Sequence, residues 1–447
     1  MSRWSRVASL APIPVIAVLL GRLLWRAAAP AAPLLSHPID FNAFYCGGQV
    51  LGSGLDPYRE GPLRACEAAA YRDIGIRMEP YLVVPAPFPP YVLWAFAALA
   101  LFPFGVAERL WFVTLLLVLG LTVVVVRQLT TLPLIAVAAA LFCADGIASL
   151  VIGQLVPLVV LGLAATALAL RKQRYAAAAA FGCVTLLEPH LGVPVCVSLM
   201  LWAPPTRKSV AAIGVVLATV SLTPRPSRLI EYVTQVLPAQ GRIEGGNFTA
   251  QYSATALIHA LGAPLDGALI AGTLGFFVMF AFGIVVAKHL ARSCGDPAYI
   301  ALAPPAFVLC GGAYVHIHQF AAALPLGLAL YGAVRSKAVL LAALLALAVP
   351  WQALYEELPL AGVIPHHHVA DPLPALRASF DPKALAQSSW DIWARYRSAV
   401  DGRTALEAVA LKVPTWFGIV TICWLGYRRS GLRVSRSTAL RSRFAGG

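Results

Sequence analysis

Charge is what this 447-residue sequence has least of: only 12% of its residues are Asp, Glu, Lys or Arg, against roughly 25% in a soluble domain. That scarcity excludes an ordinary soluble enzyme. The eight cysteines contain no C-x-x-C pair, and six of them lie in or beside apolar segments, where buried thiols are common and inert. There is no G-x-x-x-x-G-K-[ST] loop and no G-x-G-x-x-G after a strand, which argues against an ATP-driven pump and against a Rossmann enzyme. What the chain has in quantity is apolar residues, 59% of the total with a mean hydropathy of +0.76. At about 20 residues per crossing, that is enough for on the order of a dozen membrane spans. The sequence is that of an all-α polytopic membrane protein, so the net charge of +14 is read first as a topology signal and only then as a clue to partners.

Apolar segments fall near 7–25, 88–104, 107–126, 155–170, 175–187, 191–203, 209–223, 266–290, 298–313, 317–334, 338–355 and 413–427. The stretch 131–147, opened by Thr130, Thr131 and Pro133 and closed by Asp145-Gly146, is read as re-entrant, because a full crossing there would separate Arg171, Lys172 and Arg174 from Arg3 and Arg6. Parity then brings Arg207/Lys208, Lys288/Arg292, Arg335/Lys337 and the basic tail to the cytoplasmic face, as the positive-inside rule expects. On this map the inside holds 18 of the 34 Lys and Arg but only Glu108 and Asp296 of the 20 Asp and Glu. The expected organisation is one transmembrane domain over 1–430 with outer loops 26–87, 224–265 and 356–412, then a basic cytoplasmic tail, 431–447. Arg22, Pro12 and Pro14 favour a retained first span over a cleaved signal peptide at 7–25. The carboxylates, and with them the chemistry, are expected at the outer face of the cell membrane.

The first outer loop begins Asp40-Phe41-Asn42-Ala43-Phe44-Tyr45 and continues through Gly54-Leu55-Asp56-Pro57-Tyr58. Asp56 before Pro57 suits an Asx turn. Asp40, at the membrane surface among aromatic rings, is a better candidate for chemistry, since partial desolvation raises a carboxylate's pKa and makes it a stronger base. Residues 61–74 carry Leu63, Cys66, Ala70 and Ile74 on one side of an interfacial helix. Cys46 and Cys66 share this loop on an oxidising side, so a disulfide between them is an open expectation. Pro85 to Tyr91 reads as a polyproline-like entry to the second span, with Trp94 and Trp111 as interface anchors. Gly153-Gln154 and Leu187-Glu188-Pro189-His190 put polar groups at span ends, where a functional role and a helix-tying hydrogen bond are the competing readings.

In order along residues 36 to 335, Asp40-Phe41…Tyr45, Gly54…Pro57-Tyr58, the Pro-rich second entry, Gly153-Gln154 and the Leu-x-Pro-His element resemble the glycosyltransferase 87 family of polytopic GT-C enzymes. The resemblance implies a GT-C-like bundle of about twelve transmembrane helices with a large first outer loop. It also implies transfer of a mannose-like sugar from a polyprenyl-phosphate donor to a glycan or glycolipid acceptor on the outer face, with Asp40 at the position of the catalytic base. Glu188 departs from the pattern, which usually carries a lysine before the proline. The absence of any Asp-x-Asp agrees with a lipid-phosphate donor in place of a metal-bound nucleotide sugar, and no nucleic-acid partner is implied.

One-step inversion needs one base, Asp40, and partners for the leaving phosphate, which count for most in a dry cleft. Candidates are Arg225, Arg228, Arg242, His316 and His318, while Tyr45, Tyr58, Gln154, Glu188 and His190 join them as substrate contacts. His316-x-His318 also suits a divalent cation if extended, or a structural pair at a helix start. His366-His367-His368 reads as an exposed loop, because three consecutive rings cannot face one ion from a regular backbone. Trp390, Trp393 and Tyr396 form an aromatic stripe for the outer interface, read first as ordinary packing and otherwise as a brace for the cavity or a contact for a glycan acceptor. Asn247-Phe248-Thr249 marks an exposed loop and nothing more. Two other readings stay open: a secondary transporter or lipid flippase, though no internal repeat supports it, and a non-catalytic envelope scaffold.

Overall fold

The structure, a computed structural model, describes residues 39–75, 82–143, 147–223, 225–247, 250–349, 351, 373–401 and 404–431. The first apolar segment, the three consecutive histidines and the tail beyond 431 lie outside the described residues. Every regular element described is helical, apart from isolated bridges between Arg59 and Leu385 and between Gln251 and His316.

In chain order the helices are α1 (Ile39–Gly52), α2 (Glu60–Asp73), α3 (Pro90–Leu99), α4 (Phe104–Arg127), α5 (Leu134–Leu141), α6 (Ile147–Ile152), α7 (Val156–Arg171), α8 (Tyr175–Val184), α9 (Pro189–Trp202), α10 (Arg207–Leu222), α11 (Ser227–Glu231), α12 (Leu237–Gly246), α13 (Ala254–Ala260), α14 (Leu265–Cys294), α15 (Tyr299–Val308), α16 (Leu324–Leu330), α17 (Lys337–Ala348), α18 (Leu373–Ser379), α19 (Gln387–Asp401), α20 (Ala405–Ala410) and α21 (Val413–Arg429). By length and composition α4 and α14 can each cross a membrane unaided. A third candidate is the pair Pro204–Leu222 and Ser227–Gly246, bent by 99° at its break. Ile270, Leu274, Phe277 and Val278 on α14 are exposed, as expected of a face whose partner is lipid.

The outer layer is built on α1, which is buried on nearly every side. Its Gly48 lies against the α3 backbone so closely that a Cβ would sit 2.5 Å from the Ala97 nitrogen; only glycine permits that approach. Phe41 stacks on Trp111 at 5.8 Å and on Phe104 at 5.9 Å, which pins the first turns of α4 to α1. A disulfide joins Cys46 of α1 to Cys66 of α2. Glu67, on the polar side of the sequence pattern, is buried instead. Its carboxylate accepts the Val84 N–H at 3.2 Å, a donor in an extended segment with no sheet to satisfy it.

Two sequence expectations about crossings are overturned together. The segment 88–104 is not a span: the 10-residue α3 packs on α1, and the chain enters it at Tyr91, bonded to the Leu186 carbonyl, and leaves it for α4 at the same end of the bundle, where Trp111 is bonded to Gly153. The stretch 131–147 is not re-entrant. The carbonyls of Gln128 and Leu129, just past α4, accept from the Arg171 guanidinium at 2.9 and 3.1 Å, so α4 and α7 end on the same side. The chain then returns through α5 and α6 to Gly153, whose carbonyl accepts the Trp111 indole N–H at 2.8 Å at the opposite end. The two errors cancel in parity, which is why the charge pattern concealed them. Trp111 is correspondingly a buried bracket and not an interface anchor.

The end holding Arg171 carries Arg127, Lys172, Arg174, Lys288, Arg292, Arg428 and Arg429. Asp296 is its only carboxylate among the described residues; Glu108 lies at the other end, next to Gly105, whose N–H binds Asp73. Asp296 holds the Arg171 Nε at 2.9 Å and Nη2 at 2.5 Å.

Candidate active site

Asp40 sits in the first turn of α1, where the unpaired N–H groups of a helix start favour a carboxylate. It is half-buried. Gln154 reaches it from the other side of the site, its side-chain amide donating to Asp40 Oδ2. The local chain explains why. Gly153 has φ +79°, the left-handed conformation that glycine adopts without penalty, and with its carbonyl held by Trp111 this turn aims Gln154 at α1. Burial raises the Asp40 pKa to about 6, offset in part by the Gln154 hydrogen bond and the nearby His316, while Glu244 adds to the rise.

Glu188 lies at the break before α9, in extended backbone at φ −117° and ψ 91°, with Pro189 at the first helical position, where its missing N–H costs nothing. Tyr91 O–H donates to the Leu186 carbonyl just before it at 2.5 Å. The carboxyl of Glu188 is buried, and that burial lifts its pKa to about 8; a hydrogen bond from Gln319 pulls it down and the charge of Asp40 pushes it up. His190 Nδ1 stands 3.6 Å from Glu188 Oε2, and its ring packs 6.0 Å from that of Tyr314.

His316 enters from the segment after α15. It precedes the turn Ile317–Ala323, and its backbone N–H donates to Gln319 Oε1 at 3.0 Å, closing a capping box. Gln251 holds the ring: its amide is 3.0 Å from a ring nitrogen and also donates to Glu244 Oε2 at 2.6 Å, while its carbonyl oxygen accepts the Val315 N–H at 2.8 Å. Glu244 Oε2 is 3.9 Å from His316 Nε2. His318 stacks on His316 at 5.3 Å. Beneath them the buried Lys412 donates to the Gln251 carbonyl and lies 5.0 Å from the Tyr252 ring centre.

The candidates named from the sequence therefore divide. Asp40, Gln154, Glu188, His190 and His316, with His318 stacked behind, converge on one place. Tyr45 and Tyr58 belong to the scaffold: the Tyr45 hydroxyl donates to the Phe102 carbonyl at 2.9 Å, and Tyr58 donates to the Phe88 carbonyl at 2.8 Å. Arg228 donates to the Gly54 carbonyl at 2.6 Å. Gly54 lies beyond the far end of α1 from Asp40, roughly 20 Å along the helix axis. Arg225 is exposed beside Arg228, and Arg242 pairs with Asp266 at 2.6 Å on the surface. Among the described residues no three His, Cys, Asp or Glu side chains are placed to hold a metal ion together. A cavity of about 400 Å³ lies at the opposite end of the bundle, lined in part by Arg171, Asp296 and Arg429, with Arg171 already committed to Asp296.

Sequence reasoning missed Glu244, Gln251 and Gln319. Each is buried and polar, yet none stands in a motif, and burial is not readable from an outer-loop position. The one available signal was the Glu244-Gly245-Gly246 run, small residues that admit close packing; a Cβ on Gly245 would lie 2.9 Å from the Thr255 side chain.

A family model described as Glycosyltransferase family 87 matches residues 87–310, half of the chain. Gln154, Glu188, His190, Glu244 and Gln251 fall inside the matched segment, whereas Asp40, His316 and Gln319 lie outside it. No curated protein and no solved structure matches the chain.

Proposed function

The chain belongs to glycosyltransferase family 87 and is a membrane glycosyltransferase; from that premise we propose that it moves a hexose, mannose, from a polyprenyl-phosphate donor to an envelope glycan or glycolipid acceptor, with inversion. Asp40 is the base. It takes the proton of the acceptor hydroxyl as that oxygen attacks the anomeric carbon, and the lipid phosphate leaves from the opposite face. A base with a pKa of about 6 is ionised near neutral pH yet still basic enough to accept a proton in the transition state.

The observation that carries the reading is the convergence on Asp40 of side chains from four distant parts of the chain: Gln154, Glu188, Glu244 and His316. His316, backed by Glu244, faces the charge that develops on the leaving phosphate. Glu188, protonated at neutral pH, donates a hydrogen bond where the family pattern carries a lysine. Orientation follows from charge: the Arg171 end is cytoplasmic, the Asp40 end faces outward, and about twelve spans of the cell membrane leave both termini on the cytoplasmic side.

The test is transfer by purified protein in lipid from labelled polyprenyl-phosphate mannose. Wild type transfers, and Asp40→Asn falls by about a hundredfold to ten-thousandfold, the scale of losing a positioned general base. Equal transfer by both, or donor binding without transfer, removes the mechanism.

A further inference from the structure

We propose that Trp390 is a positioning residue for the transfer, and that the outer segment carrying it is latched onto the site by Glu60; this rests on the reading of Asp40 and His316 given above. Glu244 is 2% exposed and stands in the last turn of α12, the end of a helix whose carbonyls repel a carboxylate. It is held there by three side-chain donors. Oε1 accepts from Gln240 at 3.0 Å and from the Trp390 indole at 3.2 Å, and Oε2 accepts from Gln251 at 2.6 Å. Gln251 and Glu244 together hold the His316 ring. Trp390 is the only one of these donors that comes from outside the stretch 240–251, so it joins the site to α19.

The segment before α19 is held at a distance from the reacting groups. Glu60, at the start of α2, is fully buried; its carboxylate accepts from the Ser389 backbone N–H at 2.9 Å, from the Ser389 hydroxyl, and from the Asp381 N–H at 3.2 Å. Its own backbone N–H donates to the Ala384 carbonyl at 3.0 Å, and the Ala386 N–H donates to the Tyr58 carbonyl at 2.9 Å. A Cβ on Gly61 would lie 2.8 Å from the Pro382 side chain, so α2 and this segment meet at closest packing. The buried carboxylate thus sets the start of α19, α19 sets Trp390, and Trp390 sets Glu244 behind His316. Trp393, three residues further on, instead stacks on Tyr396 at 5.5 Å and serves as the control.

The experiment measures kcat and both KM values in lipid, with labelled polyprenyl-phosphate mannose, for wild type, Trp390→Phe, Trp393→Phe and Glu60→Gln, alongside thermal melting in the same lipid. Trp390→Phe keeps the ring and removes the N–H; its kcat per folded molecule falls about 10-fold, the equivalent of roughly 1.4 kcal/mol, with KM values within about twofold. Glu60→Gln gives the same kcat loss through a residue remote from the reacting atoms, and it carries the test if Trp390→Phe does not fold. Trp393→Phe keeps the wild-type kcat. A kcat unchanged per folded molecule in Trp390→Phe or Glu60→Gln overturns the inference alone. Absence of transfer by wild type overturns the functional reading beneath it.

Discussion

Gln154 donates its side-chain amide to the Asp40 carboxylate across 114 residues of sequence, and that one contact sets how much of Asp40's raised pKa is cancelled. Because the hydrogen bond favours the ionised form, Gln154→Leu moves the acid limb of the kcat–pH profile above the wild-type value of about 6. The sign for stability is opposite to that of an ordinary salt-bridged aspartate. Folded Asp40 keeps its proton to about pH 6 while the unfolded carboxyl releases it near 3.8, so stability is highest below that window and declines as pH rises through it. Asp40→Asn therefore melts higher than wild type at pH 7, and the difference closes toward pH 4, even though transfer is lost.

Glu188 supplies the other limb. With its pKa at about 8 it is neutral and able to donate at pH 7, and it becomes a carboxylate facing Asp40 as the medium turns alkaline. Wild-type kcat falls as pH rises through about 8. Glu188→Gln, a permanent neutral donor, retains most of the activity at pH 7 and flattens the alkaline fall, read from pH–rate profiles of the two proteins.

The Cys46–Cys66 bond closes a loop of 20 residues of sequence separation beside the site. A cross-link of that length restricts the unfolded chain by about 3 kcal/mol on the loop-entropy view. Cys46→Ala/Cys66→Ala accordingly melts lower than wild type, and dithiothreitol lowers wild type but not the double variant. Equal melting of the two proteins without reductant would show that aromatic packing alone holds α1 to α2.

The crossing pattern predicts labelling. With the six free cysteines replaced by serine, single cysteines at Gln128 and Lys172 react with an impermeant thiol reagent from the same side of the membrane, and one at Glu108 reacts only from the other. Labelling of positions 128 and 172 from opposite sides would restore the re-entrant reading of 131–147.

How much of this was legible along the chain varies by element. Asp40 and Gly153-Gln154 stood out because a carboxylate among aromatics and a glycine before a lone amide are unusual at membrane depth. Leu187-Glu188-Pro189-His190 was visible for a similar reason, as a proline and two ionisable groups interrupting an apolar run. Tyr45 and Tyr58 stood in the same motifs and turned out to brace the loop, since a motif records that a residue matters without saying whether it touches substrate or scaffold. The arginines looked suited to phosphate by charge alone, and Gly54 and Asp266 claim two of them.

The opening scarcity of charge determined, from sequence alone, that this is a membrane protein whose excess positive charge sits at one end and nearly all of whose carboxylates sit at the other. That much follows from composition and spacing, because the bilayer acts on each segment according to its own hydropathy. Only the tertiary structure decided which apolar segments cross. α3 is as apolar as a span but buries its surface on α1, and a hydropathy count cannot distinguish protein from lipid as the apolar partner. The same holds for the site. Glu244, Gln251 and Trp390 acquire their roles through hydrogen bonds between segments far apart in the chain, and such pairings exist only once the helices have packed.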